Sequence, residues 1–254
     1  ITESSNYAYA SVEHIYYSTA STGSFKVTVS SSALSGVKQV SFPTTVSSGG
    51  DDTLSPYEWT YNWDTFDIFD SIAYVSCYDN AGISNVANFI VDRDISPPSG
   101  GSISNAGYHS ALSVPLTLST GTDIESGVNT TSDFIDRQEA ILSGGSCGAF
   151  GSWSTLASDP GASYTDTSVL HGKCYNYRYS IRDNVYNLAT YTSPSPSESP
   201  ITAKIDTTPP AVGQAEIYSG ALYQSGVNYW YKGTVSIRAV ASDGESLILS
   251  CQYT

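Results

Sequence analysis

Between residues 57 and 63 the sequence YEWTYNW places an aromatic ring at every second position: Tyr57, Trp59, Tyr61 and Trp63, with Glu58, Thr60 and Asn62 between them. Side chains of an extended strand point to opposite faces in turn, so all four rings fall on one face. The same period of two runs through SFKVTVS (24–30), SVPLTLS (113–119) and GTVSIRAV (233–240). Clusters of Gly, Pro, Asn and Asp separate these runs, and nothing in the chain reads as helix. Short alternating strands at this spacing predict an all-β fold of antiparallel sandwiches. The rings at 57–63 then have two readings: one wall of a buried core, or an exposed platform on which a sugar stacks.

Two double prolines divide the chain, in VDRDISPPSGG (91–101) and KIDTTPPAVG (204–213). Proline fixes φ and has no N–H for a ladder, so each pair ends one unit and spaces it from the next. Other features recur in the same order. LSGVKQVSF (34–42) is answered by ESGVNTTSDF (125–134), and AYVSCYDNAGISN (73–85) by RYSIRDNVYN (178–187). Asp79-Asn80-Ala81-Gly82 has the chemistry of a turn between two strands, expected at 72–78 and 85–91. DTFDIFD (64–70) reads as a loop with a local hydrophobic anchor. A third copy begins after Pro210 and stops before its middle strand. The expected units are residues 1–95, 96–206 and 207–254, the last one truncated or completed by another chain.

Charge narrows the function. Lys and Arg number 10 against 24 Asp and Glu, a formal charge of −14 that repels a polyanionic duplex, so nucleic acid is not an expected partner. No apolar run reaches the roughly 18 residues needed to span a bilayer. The opening ITESSNYAYA reads as a mature or partial chain. GGSCG (144–148) matches Gly-x-Ser-x-Gly, but no helix follows it, and the histidines stand only at 14, 109 and 171. A nucleophile elbow needs a strand-to-helix turn and triad partners, so no catalytic residue and no enzyme are expected. No cofactor is expected either. Calcium is the one metal to weigh, with Asp92, Asp94 and Asp183 as candidate ligands at a junction. Asp206, Asp123, Glu125 and the pair Asp51-Asp52 are further acids, and no Asp-x-Asp-x-Asp-Gly loop gathers them. The alternative for all of them is solvated turn formers and strand ends.

IDTTPP (205–210), LTLSTGTDIESGV (116–128), YRYSIRDN (177–184) and YVSCYDNAG (74–82), in this order and period, resemble the tandem bacterial immunoglobulin-like repeats of very large secreted or cell-surface proteins. The resemblance covers nearly the whole chain. It implies tandem immunoglobulin-like sandwiches joined by short Pro-Pro linkers. There are departures: Gly82-Ile83 stands where Gly-Asn is usual, and Val185-Tyr186-Asn187 has no glycine, which predicts a wider or more strained turn. SPYEWTYNWDT (55–65) resembles a sandwich strand of these repeats with two extra residues. That insertion keeps Tyr57 and Trp63 on one face and favours the core wall, with at least two rings buried.

The resemblance also implies a disulfide between Cys147 and Cys174, and with it an oxidising, extracellular or cell-surface location. Cys77 and Cys251 are then left over: Cys77 as a small buried hydrophobe, Cys251 with a partner elsewhere, or the two joined between subunits. The function implied is a stalk, fibre, filament or adhesin arm that projects rigidly and associates with protein, its own copies included. The alternative is a carbohydrate-binding or accessory module of a secreted enzyme, with a glycan as partner. That reading needs Trp59, Trp63, Trp153 or Trp230 exposed on a flat face.

Overall fold

The structure is a computed structural model. It describes residues 1–105, 107–192 and 202–250, with backbone only at 217–224, 229, 231 and 232. Among the described residues there is no helix. The first body holds β1 (Thr2–Glu3), β2 (Ala8–Ser11), β3 (His14–Tyr17), β4 (Gly23–Val29), β5 (Val37–Phe42), β6 (Gly50–Asp52), β7 (Tyr57–Trp63), β8 (Ser71–Asp79) and β9 (Ser84–Arg93). They form two sheets, β1-β4-β7 and β2-β3-β9-β8-β5-β6. The opening segment serves both: β1 pairs antiparallel with β4, and β3 pairs parallel with β9.

The core lies between these sheets and answers the question of the rings. Tyr57, Tyr61 and Trp63 are buried, and Trp59 is half-buried. Tyr61 stacks on Phe25 at 5.2 Å and Trp59 on Phe42 at 6.1 Å. The polar tips of Trp59, Tyr61 and Trp63 each find a carbonyl. The Tyr61 hydroxyl donates to Pro43 O (2.7 Å), Trp59 Nε1 to Ser48 O (3.0 Å), and Trp63 Nε1 to Ser18 O and Ser21 O. Val40, Phe42, Val75, Phe89 and Val91 close the other side. In the loop at 64–70, Phe69 packs on this core while Phe66 and Ile68 are exposed.

The second body holds β10 (Ser102–Ser104), β11 (Tyr108–His109), β12 (Val114–Ser119), β13 (Val128–Ser143), β14 (Ser146–Cys147), β15 (Ser154–Ser158), β16 (Ser163–Asp166), β17 (Lys173–Asp183), β18 (Leu188–Tyr191) and β19 (Thr202–Ile205). Its sheets are β10-β12-β16 and β11-β19-β17-β13, with β14 and β15 on β13 and β18 on β17. The same switch of sheets recurs, β10 pairing antiparallel with β12 and β11 parallel with β19. Tyr175, Tyr177, Tyr179 and Ile181 line one face of β17 and pack on Ile103, Leu116, Leu118 and Ile135. Tyr177 donates to Asp166 (3.0 Å) and Tyr179 to Asp133 (2.9 Å). On the far face the Cys147–Cys174 disulfide sits in a small separate cluster with Ala140, Leu142 and Phe150. The rest of the chain forms β20 (Ala211–Val212), β21 (Glu216–Ser225), β22 (Asn228–Arg238) and β23 (Ala241–Ser242), with β20 paired to β23 and β21 to β22. The fold is thus all-β, sandwiches in tandem whose strands pair antiparallel except where β3 meets β9 and β11 meets β19.

Two predictions follow from this packing. The disulfide spans 27 residues, a closure worth about 3–4 kcal/mol in chain-entropy terms, so Cys147→Ser with Cys174→Ser lowers the unfolding free energy of the second body by that amount, read as a lower denaturant midpoint. Asp166 is buried and takes the Arg137 guanidinium at 2.7 Å. Burial works to raise its carboxyl, but the Ser168 and Arg137 bonds outweigh it and hold it below the usual carboxylate range. Its stabilising effect is therefore present at neutral pH and lost as pH falls through that depressed value. Asp166→Ala should cost about 3 kcal/mol at pH 7 and flatten the acid limb of a stability-versus-pH series.

Candidate functional site at the repeat junctions

One turn is built twice. In the first body Asn80 N–H donates to Gly36 O (3.0 Å) and Asn80 Nδ2 to Ser35 O (2.8 Å). In the second, Asn184 N–H donates to Gly127 O (3.0 Å) and Asn184 Nδ2 to Ser126 O (2.8 Å). The preceding aspartate caps each turn: Asp79 Oδ1 accepts from Ala81 and Ile83, Asp183 Oδ1 from Val185 and Asn187. Gly36 and Gly127 adopt φ of 79° and 80°, and in the third segment Leu247 stands at the matching place with φ 65°. The turn without a glycine keeps its length and is strained: Tyr186 takes φ 72° where Gly82 takes 84°. The ring of this residue meets the first body, 5.8 Å from Tyr7. Arg182 lies over the Tyr186 ring, 5.3 Å from its centroid, and donates to Tyr186 O.

The first junction is centred on Asp94, which is fully buried just past β9. Its Oδ1 accepts from Ser96 N–H (3.0 Å) and Asn187 Nδ2 (3.3 Å), and its Oδ2 from Ser126 N–H (3.1 Å). Asn187 Nδ2 also donates to Asp183 Oδ2 (2.7 Å), and Asn187 Oδ1 accepts from Ser18 of the first body (2.9 Å). The second junction repeats the spacing. Asp206 precedes its double proline as Asp94 does, and the loop Asp243-Gly-Glu245-Ser246 matches Asp123-Ile-Glu125-Ser126. Asp123 Oδ1 accepts from Glu125 and Gly127; Asp243 Oδ1 accepts from Glu245, Ser246 and Leu247. At this second junction the GGSCG hairpin has a role: Gly144 and Gly145 N–H donate to Gly244 O (2.8 Å) and Glu245 O (2.6 Å). Both glycines have positive φ, 55° and 72°, as a two-residue hairpin turn demands. The motif is a docking clip between bodies, and Cys147 within it is committed to the disulfide.

Two groups of metal-ligating type lie at these two junctions. Asp94, Asp123 and Asp183 have carboxylate oxygens within 4.8 Å of one another, and so do ligand atoms of His171, Asp206 and Glu245. Asp94 and Asp183 were expected; Asp92 was not brought in, a correction. It is still in the ladder opposite Tyr16, and its carboxylate stays on the first sheet 3.2 Å from His14 Nδ1. The missed third member is Asp123. Its signal in the sequence is the Asp-x-Glu-Ser spacing shared with residues 243–246.

The other expected residues are scattered. Cys77 is a half-buried free thiol beside Ser31 Oγ (2.8 Å), and Cys251 lies outside the described residues. Trp63 is a core residue, which corrects its reading as an exposed contact, and Trp59 is turned into the same wall. Trp153 is covered by the Arg178 guanidinium at 4.7 Å, and Trp230 is 49% exposed. No flat tryptophan platform forms on β7.

No protein-family model matches this chain, and no curated protein matches it. Among solved structures it is similar to the fibronectin(III)-like modules of Clostridium thermocellum CbhA, with 12% identity over 75% of this chain and 87% of that one, at a TM-score of 0.31. It is also similar to domains A168–A170 of titin, with 14% identity, 74% of this chain and a TM-score of 0.39; it spans 61% of that titin fragment. The fold statement rests on the strand pairing described above.

Tyr186 carries the prediction for this site. Tyr186→Gly should relieve about 1 kcal/mol of left-handed backbone strain within the second body. It should also broaden the distance distribution between spin labels placed one on each body, because the Tyr7 contact is lost.

Proposed function

We propose that this chain is a structural repeat segment of an extracellular or cell-surface protein, a stalk, fibre or filament that acts by stiff projection and by association with protein, its own copies included. In this reading the repeats are residues 1–95, 96–206 and a partial unit, 207–254. The observation that carries the reading is the junction. At the first double proline the linker aspartate is bonded to the loop of the following repeat, and at the second the Gly144 and Gly145 amides hold the corresponding loop, so successive units are fixed to each other rather than strung loosely. A disulfide suits an oxidising compartment. Association has a surface to use. Ile72, Tyr74 and Val86 are exposed on neighbouring strands β8 and β9, and Ser84–Asn88 of β9 is exposed throughout.

An antibody raised against the chain tests this on intact cells of its source, by gold labelling in the electron microscope. Label along thin projections or ordered polymers outside the cell is the expected result. Label that appears only after lysis would contradict the proposal.

A further inference from the structure

The two bodies close one end of their sandwiches differently. The ladder pairs Val37↔Asp79 and Val128↔Asp183 set matching positions. On that alignment Val75, Cys77, Asn85 and Ala87 of the first body correspond to Tyr179, Ile181, Ala189 and Tyr191 of the second. In the second body these residues are covered. Ile181 and Ala189 are buried. Tyr191 stacks on Tyr179 at 6.3 Å and donates to Pro98 O (2.7 Å), while Ser99 bridges to Thr122. The cover is the linker itself, Pro98 to Gly101. Gly101 lies so close to the Tyr191 ring that a Cβ there would come within 2.2 Å of it.

In the first body the same end is open. Asn85 and Ala87 share the parity of buried Phe89 and Val91, yet both are exposed, and Cys77 is only half-buried. With Val29, Ser31 and Ala33 opposite, they line a groove of about 290 Å³. Among the described residues, the N–H and carbonyl of Ser31 take no backbone hydrogen bond. Core-facing positions left in solvent mark a sandwich that another segment completes. The groove is not a copy of the other one. Ser30 stands at the place of Gly121, where a Cβ would meet Ser99 O at 2.2 Å. An occupant must therefore run further out than residues 98–101 and reach the floor with a side chain. Exposed Leu34 and Ile83 replace Glu125 and Asn187, so no side-chain amide waits for a carboxylate as Asn187 does for Asp94.

We infer that this groove of the first body is the docking site for an extended segment leading out of another sandwich unit, apolar where the linker after β9 carries Asp94 and bulky where it carries Gly101. The kind of occupant is read from the second body, where the same end of the same fold is closed by the segment that leaves the unit before it. Its chemistry is read from the replaced residues. A large apolar side chain takes the space of the missing tyrosine rings over Val75 and Cys77, and an apolar residue at the other point lies against Leu34 and Ile83. An aspartate there would lose water without gaining the Asn187 amide. The two grooves thus accept different segments, and that difference sets which unit can stand ahead of which. The inference stands on the strand geometry and does not need the proposed extracellular role.

The test uses the whole chain and two synthetic peptides of residues 93–102, one with the native sequence and one carrying Asp94→Leu and Gly101→Leu. Cys77 is the reporter: its alkylation is followed by mass spectrometry of the fragment that holds it. The substituted peptide should slow this alkylation and bind about tenfold more tightly than the native one, the return on burying part of a leucine side chain. Ala87→Tyr in the chain restores the ring that fills the second body's groove, and should abolish the binding. Amide shifts of Ser31, Cys77 and Asn85 in the wild type locate the peptide even if that variant fails to fold. No shift at millimolar peptide, native peptide binding as tightly as the substituted one, or binding retained by folded Ala87→Tyr would each overturn the inference. So would protection of Cys77 that rises with protein concentration when no peptide is present, which would make a second copy of this chain the occupant.

Discussion

Everything distinctive about this chain depends on where one carboxylate sits. Asp94 leaves the last strand of the first body with its amide bonded to Tyr17 O, and its side chain is already inside the second. It has no exposed surface. A charge so placed must be held by several donors, and those donors come from the loop at Ser126, the linker at Ser96 and the side chain of Asn187. The double proline that follows limits the backbone, while Asp94 fixes the direction in which the chain enters the next unit. Proline spacing alone would leave the bodies free to swivel.

The same economy of parts accounts for the repeat itself. A turn of Asp-Asn caps its own backbone through the aspartate and clips a neighbouring Ser-Gly loop through the asparagine. That clip holds the end of each sandwich shut and presents a rigid surface to the unit before it. In the second body the surface carries Tyr186, whose strained backbone is retained at the place where its ring reaches Tyr7. Strain and contact at one residue suggest that the junction geometry, rather than the turn, sets the residue there.

Much of the fold was legible in the sequence, because period-two alternation fixes faces irrespective of what lies opposite. Tyr57, Tyr61 and Trp63 could be placed on one wall before their partners were known. The strands flanking Asp79-Asn80 and the sheet-ending prolines were equally local. The site was legible in part. Asp94 and Asp183 stand beside strong turn and linker signals, but Asp123 reaches them only through a loop whose path depends on the docking of two bodies. Asp92 misled because it lies two residues from Asp94, on the same parity, yet is still held in the ladder. That no helix follows GGSCG was readable, whereas the hairpin's backbone bonds to residues 244 and 245 are long-range and leave no local pattern.

The central claim is that the junction holds the first two bodies in one fixed orientation. Residual dipolar couplings of backbone amides in residues 1–94 and 102–192 of the whole chain test it most directly. A single alignment tensor that fits both sets is the result expected. Two tensors of different magnitude or orientation, one for each body, would contradict the account.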